Sequence, residues 1–178
     1  ANTGLAVASQ AEYSMIEICG SDVPCRLILA SALVEKVIGE SCSVIDTMLG
    51  SQLVGTRYDA LYNPLEFQVD VYRFRQDKTP GESRLTHMEF TNEFQPRVVE
   101  ANFVALDEGT GIVHMAPAFG DDDLKVGREN ELNFVQPVNL QGFVTGSYHF
   151  AGKFVKQADE DIISDLKTRG LLYHSGTY

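Results

Sequence analysis

The sequence has no apolar run approaching the roughly 20 residues that a membrane-spanning helix needs, which leaves no transmembrane reading of it. Its opening, ANTGLAVASQ, lacks the basic start and long apolar middle of a signal peptide. Cysteine is scarce. Cys19, Cys25 and Cys42 are an odd number without metal-ligand spacing, and they read as reduced thiols in a cytoplasmic protein. Basic residues are few as well, 14 Lys and Arg against 25 Asp and Glu, for a net charge of −11. That balance excludes a broad basic face able to hold a long duplex, though a local pocket could still take a few nucleotides. Internal repeats and low-complexity tracts are absent.

What is present reads as one domain over 1–178. Its hydrophobic fraction of 44% and charged fraction of 22% are ordinary for a globular chain, and the length suits one core better than two. Short β-branched or alternating runs at 4–8, 13–18, 67–75, 97–106 and 111–115 read as strands, separated by Gly, Asn, Asp and Pro. Three helices are expected. ASALVEKVIG carries Leu33, Val37 and Ile38 on one side, and DDDLKVGRENEL opens on acids. ADEDIISDLKTRG places Asp159, Glu160 and Asp161 in its first turn, with Ile162, Ile163 and Leu166 as its apolar side. The segment 75–84, RQDKTPGESR, reads as an exposed, mobile loop. Many short strands without regular intervening helices predict a mixed α+β fold with a β-barrel-like core and about three peripheral helices. The chain opens on a strand and closes on LLYHSGTY, so we expect an excised piece of a longer protein.

The chemistry concentrates in EGTGIVHMAPAFGDDDLKVG, residues 108–127. Asp121, Asp122 and Asp123 are most simply a helix cap, because acids near the unpaired N–H groups of a first turn stabilise it by about 0.3–1 kcal/mol each. One cap needs one Asp, however, and three adjacent carboxylates repel one another. An ionised Asp at that position is also a good partner for an ammonium group. A hard divalent cation is a further option, although no D-x-D-x-D-G spacing is present. His114 ends the strand-like run GIVH and is most simply a hydrogen-bonded wall residue. No Ser or Cys stands beside it in a nucleophile arrangement, so a covalent acyl-enzyme is not supported. The turn Gly109-Thr110-Gly111 lets the backbone approach a ligand closely.

Taken whole, GTGIVHMAPAFGDDDLKVG closely resembles the signature of the editing domain inserted into isoleucyl-tRNA synthetases. ANTGLAV resembles the continuation of that family's threonine-rich W-T-T-T-P-W-T-L-P segment, and LVGTRYDALYNPL is similar to its L-x-G-x-x-Y-x-P-L stretch. DIISDLKTRGLLYHSGTY resembles its exit helix and strand. Valyl and leucyl relatives tend to carry Lys or Met in place of His114, and A-H-D in place of Ala118-Phe119-Gly120, which favours the isoleucyl family.

The resemblance implies the editing-domain fold of class I synthetases and hydrolysis of mischarged valyl-tRNA(Ile), with valyl-adenylate as a second substrate. By the same resemblance, Asp123 pairs with the substrate ammonium and His114 forms the size-limiting wall. Asn2 contributes a polar contact, and Gly109, Thr110 and Gly111 shape the pocket floor; Asp123 and His114 are thus the expected catalytic pair. No metal and no cofactor are expected in this domain; ATP, Mg and a zinc would belong to the rest of the synthetase. The implied partners are the acceptor end of tRNA(Ile) and the remainder of the enzyme, with no membrane. Without the threonine-rich segment, the isolated piece is expected to be weak or inactive. A metal-dependent hydrolase on His114 and the Asp cluster, and a non-catalytic positioning module, remain as alternatives.

Overall fold

Small and large residues alternate along the first strand, and that alternation divides the core. The computed structural model describes residues 2–18, 26–39, 42–76 and 86–175. In β1 (Gly4–Val7), Ala6 packs into one cluster with Val99, Met115, Val126 and Leu132. On the other side of the strand, Val7 packs with Tyr13, Ala30, Leu33 and Val98, and Leu5 lies against that group. A strand buried on both faces has to be a central one.

The elements follow in order: β2 (Glu12–Ile18), β3 (Arg26–Ala30), a 3₁₀ turn (Ser31–Leu33), α1 (Val34–Ile38), β4 (Cys42–Leu49) and α2 (Gly50–Leu53). Next come β5 (Val71–Gln76), β6 (Thr86–Thr91), β7 (Arg97–Glu100), β8 (Ile112–Met115), α3 (Asp121–Glu129), β9 (Asn133–Val135) and α4 (Val155–Thr168). They form three three-stranded sheets, ordered β7-β1-β8, β3-β2-β4 and β6-β5-β9. In the first sheet, β1 runs parallel to β7 and antiparallel to β8. The other two sheets are antiparallel throughout. α3 covers the first sheet through Val126, and α4 joins the third through Ala158, which packs with Val71, Val135, Tyr148 and Phe150.

The mixed α+β architecture matches the expectation, and the three expected helices correspond to α1, α3 and α4, with α2 as a short addition. Among the described residues the β layer is not one closed barrel. Each sheet has a central strand paired on both sides and two edge strands paired on one, whereas closure requires every strand to be paired twice.

Several element boundaries also differ from the expected ones. The strand expected over 67–75 begins only at Val71, because the N–H groups of Phe67 and Val69 donate back to the Pro64 carbonyl in a turn that holds Gln68 at φ 57°. The run 97–106 leaves the sheet after Glu100; the last bond along β1 runs from the Ala101 N–H to the Val7 carbonyl. α4 starts at Val155, three residues before the expected start, so Asp159, Glu160 and Asp161 lie beyond its first turn. Of the expected loop 75–84, Arg75 and Gln76 belong to β5 and the remainder lies outside the described residues, as do Cys19 and Cys25. No helix among the described residues is long and apolar enough to cross a membrane.

Candidate functional site

Register places the histidine. His114 faces Leu5 across the β1–β8 pair and Ile112 faces Val7, so both lie on the same side of the sheet. Ile112 is covered by the core beneath that side, while His114, nearer the end of the strand, keeps solvent access yet is partly desolvated by its neighbours, and lines a cleft of about 450 Å³. Asn2 and Leu5 reach the same cleft from the start of β1. Tyr58, Asp59, Leu61 and Tyr62 supply the opposite wall, and Ile162 and Leu166 close it from one face of α4.

That wall is fixed by polar contacts. The Tyr58 hydroxyl donates to Asn2 Oδ1. Burial is the main influence on the Tyr58 phenol and pushes its pKa well above the ordinary tyrosine value. The Tyr62 hydroxyl donates to Asp165 Oδ2 at 2.7 Å, and the Arg169 guanidinium lies 5.2 Å from the Tyr62 ring centre. Arg169 also donates to Asp165 Oδ2 at 3.0 Å and to the Leu61 carbonyl at 2.8 Å. The end of α4 is thereby pinned to the loop that lines the cleft. Burial and the Asp165 carboxylate push the Tyr62 phenol up to about 12.

Asp123 sits one layer behind. It belongs to the first turn of α3, whose N-cap is Gly120, and its Oδ2 accepts the Ala116 N–H at 2.7 Å. The carbonyl of the same Met115–Ala116 peptide accepts the Thr3 N–H at 3.0 Å. A single peptide unit therefore ties the Asn2–Thr3 entry strand on one side and the Asp123 carboxylate on the other. The helix can lie this close because Gly127 faces Pro117: a Cβ there would stand 2.7 Å from the Pro117 Cγ. Asp123 is not among the residues lining the cleft, but its charge acts on the imidazole. Burial lowers the His114 pKa below the ordinary histidine value, and Asp123 pulls it back up.

The remaining expected residues lie elsewhere. Gly109 and Gly111 take φ of 62° and 70°, as a tight turn demands. The turn packs against the second sheet: the Thr110 carbonyl accepts the Ala30 N–H at 2.9 Å, and the Gly111 carbonyl accepts the Tyr13 hydroxyl at 2.7 Å. Thr110 is exposed, and none of the three residues lines the cleft. The Asp triplet splits. Asp121 and Asp122 are exposed, and Asp122 borders a separate hollow with Lys125 and Glu129. Among the described residues no group of three or more His, Cys, Asp or Glu side chains could hold a metal ion.

Tyr58, Asp59 and Tyr62 join the site unannounced by any periodicity, although they fall within RYDALYNPL, a stretch singled out above for its resemblance. Chemically, the cleft offers an amide, an imidazole held toward its neutral form and an exposed carboxylate, with Leu5, Ile162 and Leu166 as apolar walls. That set suits a small ligand with both a polar head and an aliphatic side chain.

No protein-family model matches the chain. The isoleucine–tRNA ligase of Dehalococcoides mccartyi (strain ATCC BAA-2266 / KCTC 15142 / 195) is 38% identical over 175 residues, 98% of this chain and 16% of that protein. The isoleucine–tRNA ligases of Methanothermobacter thermautotrophicus and Pyrococcus horikoshii are 35% and 36% identical, over 99% and 97% of this chain and 15% of each relative. The chain thus spans about one sixth of the length of the curated relatives it matches. Among solved structures, the crystal structure of GlLeuRS-CP1 superposes with a TM-score of 0.62 over 99% of this chain and 79% of that one, at 15% identity, a likeness of fold.

Proposed function

We infer that this chain, homologous over nearly its whole length to one segment of isoleucine–tRNA ligases, is the editing domain of such an enzyme and hydrolyses valyl-tRNA(Ile). The observation that carries the reading is spatial. Asn2 and His114, far apart in sequence, line one cleft, and the Asp123 carboxylate is hydrogen-bonded to the Met115–Ala116 peptide, which also accepts the Thr3 N–H.

The need for such a site is physical. Isoleucine and valine differ by one methylene, worth only about 1–3 kcal/mol in an apolar pocket, a limit for which isoleucyl-tRNA synthetases are the established illustration. A second, smaller site that admits valine and excludes isoleucine restores accuracy. In this reading the partly exposed Asp123 carboxylate, although not part of the cleft wall, pairs with the α-ammonium of the valyl group, and His114 walls off the extra carbon. Asn2 contacts the polar part of the ester. Water attacks the ester carbonyl, the bond to the ribose oxygen breaks, and valine and deacylated tRNA leave. No protein nucleophile takes part; polar groups and the free ribose hydroxyl orient the water. Gly109, Thr110 and Gly111 hold the start of β8 to the second sheet rather than touching the ligand.

The partners are then the acceptor end of tRNA(Ile), valyl-adenylate as a second substrate and the rest of the synthetase, in the cytoplasm. The charge of −11 supports a division of labour in which other domains hold the tRNA body. ATP and Mg serve the synthetic reaction elsewhere in the enzyme, and this domain acts without a cofactor of its own. In full-length enzyme Asp123→Ala accumulates valyl-tRNA(Ile) during aminoacylation; unchanged proofreading would contradict the reading. Chelator treatment that abolishes deacylation would favour a metal-dependent mechanism instead.

A further inference from the structure

We propose that Tyr58 is a positioning residue for this cleft: its phenol anchors the Asn2 side-chain oxygen and so presents the Asn2 NH2 group as a hydrogen-bond donor to the ligand. The inference rests on the function proposed above. An asparagine amide is a planar group with an acceptor on one arm and two N–H donors on the other. Tyr58 Oη donates to Asn2 Oδ1, and Tyr58 and Asn2 both line the cleft. With the acceptor arm held, the plane is set and the donor arm is left over. Among the described residues the Asn2 Nδ2 has no hydrogen-bond partner, so nothing else claims it.

Tyr58 is well placed to act as an anchor because the segment leading into it is bound along β7. The Gly55 N–H donates to the Val98 carbonyl and the Val98 N–H to the Thr56 carbonyl, both at 2.9 Å. The Tyr58 N–H reaches the Pro96 carbonyl at 3.4 Å, and Arg57 pairs with Arg97 across an antiparallel bridge. A tyrosine phenol is protonated, and therefore able to donate, at neutral pH, and burial raises the Tyr58 pKa further. An aminoacyl ester supplies the matching acceptors, its carbonyl oxygen and the ribose hydroxyl oxygens. Without Tyr58 the Asn2 amide can rotate and offer its oxygen to those same atoms, which would repel rather than bind them.

Single-turnover deacylation of valyl-tRNA(Ile) by the full-length ligase tests this with Tyr58→Phe, Asn2→Ala and the double variant. Tyr58→Phe is expected to slow the step about tenfold, as for one lost hydrogen bond that orients a reacting group, and Asn2→Ala at least as much. The double variant should be no slower than Asn2→Ala alone, because Tyr58 acts through Asn2. An unchanged rate in Tyr58→Phe would overturn the proposal, and so would a double variant slower than Asn2→Ala by the full Tyr58→Phe factor. Asn2→Asp keeps an acceptor for Tyr58 and removes only the NH2, so it should be as slow as Asn2→Ala; a rate near wild type would also overturn the proposal. If Tyr58→Phe misfolds, which thermal melting would report, this variant still tests the requirement that the Asn2 NH2 group be the donor, on which the role of Tyr58 depends. Were Asn2→Ala and Asp123→Ala both without effect, the editing reading itself would fall, an outcome distinct from failure of the Tyr58 link alone.

Discussion

Gly111 and Asp123 stand at opposite ends of one short stretch, and they answer to different constraints. Gly111 is buried in a left-handed turn against Ala30 and Tyr13, where only backbone fits. Asp123 lies in the first turn of α3, partly exposed, with one oxygen on the Ala116 N–H. Four-residue β8 runs between them and sends Ile112 into the core while His114 reaches the cleft. One contiguous motif therefore mixes residues packed into the fold with a residue that lines the cleft, and adjacency in sequence does not say which is which.

Three substitutions sharpen that contrast. The largest effect belongs to Gly111→Ala. Its Cβ would stand 2.4 Å from the Ala30 Cβ in a backbone with φ of 70°, so clash and strain add. A loss of about 3 kcal/mol or more in urea unfolding is expected. A loss below about 1 kcal/mol would mean that the turn is not rigidly seated. Tyr13→Phe comes next. The Tyr13 hydroxyl donates to the Gly111 carbonyl and accepts the Ala8 N–H at 2.9 Å, so its removal takes the partner from one buried and one half-buried backbone group. The expected cost is about 1–3 kcal/mol, with editing activity preserved in whatever fraction stays folded.

The smallest effect concerns His114, at the functional end. Its folded pKa is lowered by burial, so the unfolded chain binds a proton more readily than the folded one does. The stability tied to neutral His114 is present in full above the unfolded value near 6.5 and is lost as pH falls from there through the lowered folded value. His114→Gln should flatten that part of the stability–pH curve in urea midpoints taken between about pH 7.5 and 5. An unchanged slope would show that the imidazole feels no desolvation in the cleft.

How much of this was legible in the sequence depended on whether the local pattern and the tertiary context agreed. α3 announced itself through its leading acids, and α4 through the apolar spacing of Ile162 and Leu166, although its first turn was hidden because Phe154 supplies no capping side chain. β4 gave no alternation to read, since most of its residues are exposed, and β9 is only three residues long. Pro64 ended a plausible strand by capturing two N–H groups that would have joined a ladder. Asn2, His114 and Asp123 stand out by resemblance rather than by periodicity, and of the three Asn2 and His114 line the cleft. The Tyr58 and Tyr62 wall comes from an aperiodic segment whose position is set by hydrogen bonds to β7 and by the Asp165–Arg169 pair, contacts that no sequence window contains.

The central claim is that the Asp123 charge serves a ligand and its shape serves the fold, and Asp123→Asn in the full-length enzyme separates the two. The amide oxygen can still accept the Ala116 N–H, so unfolding stability should stay within about 1 kcal/mol of wild type. Deacylation of valyl-tRNA(Ile) should fall by about 10²-fold or more, as expected when one partner of a desolvated ion pair is neutralised. Wild-type deacylation by a folded Asp123→Asn enzyme would contradict the account.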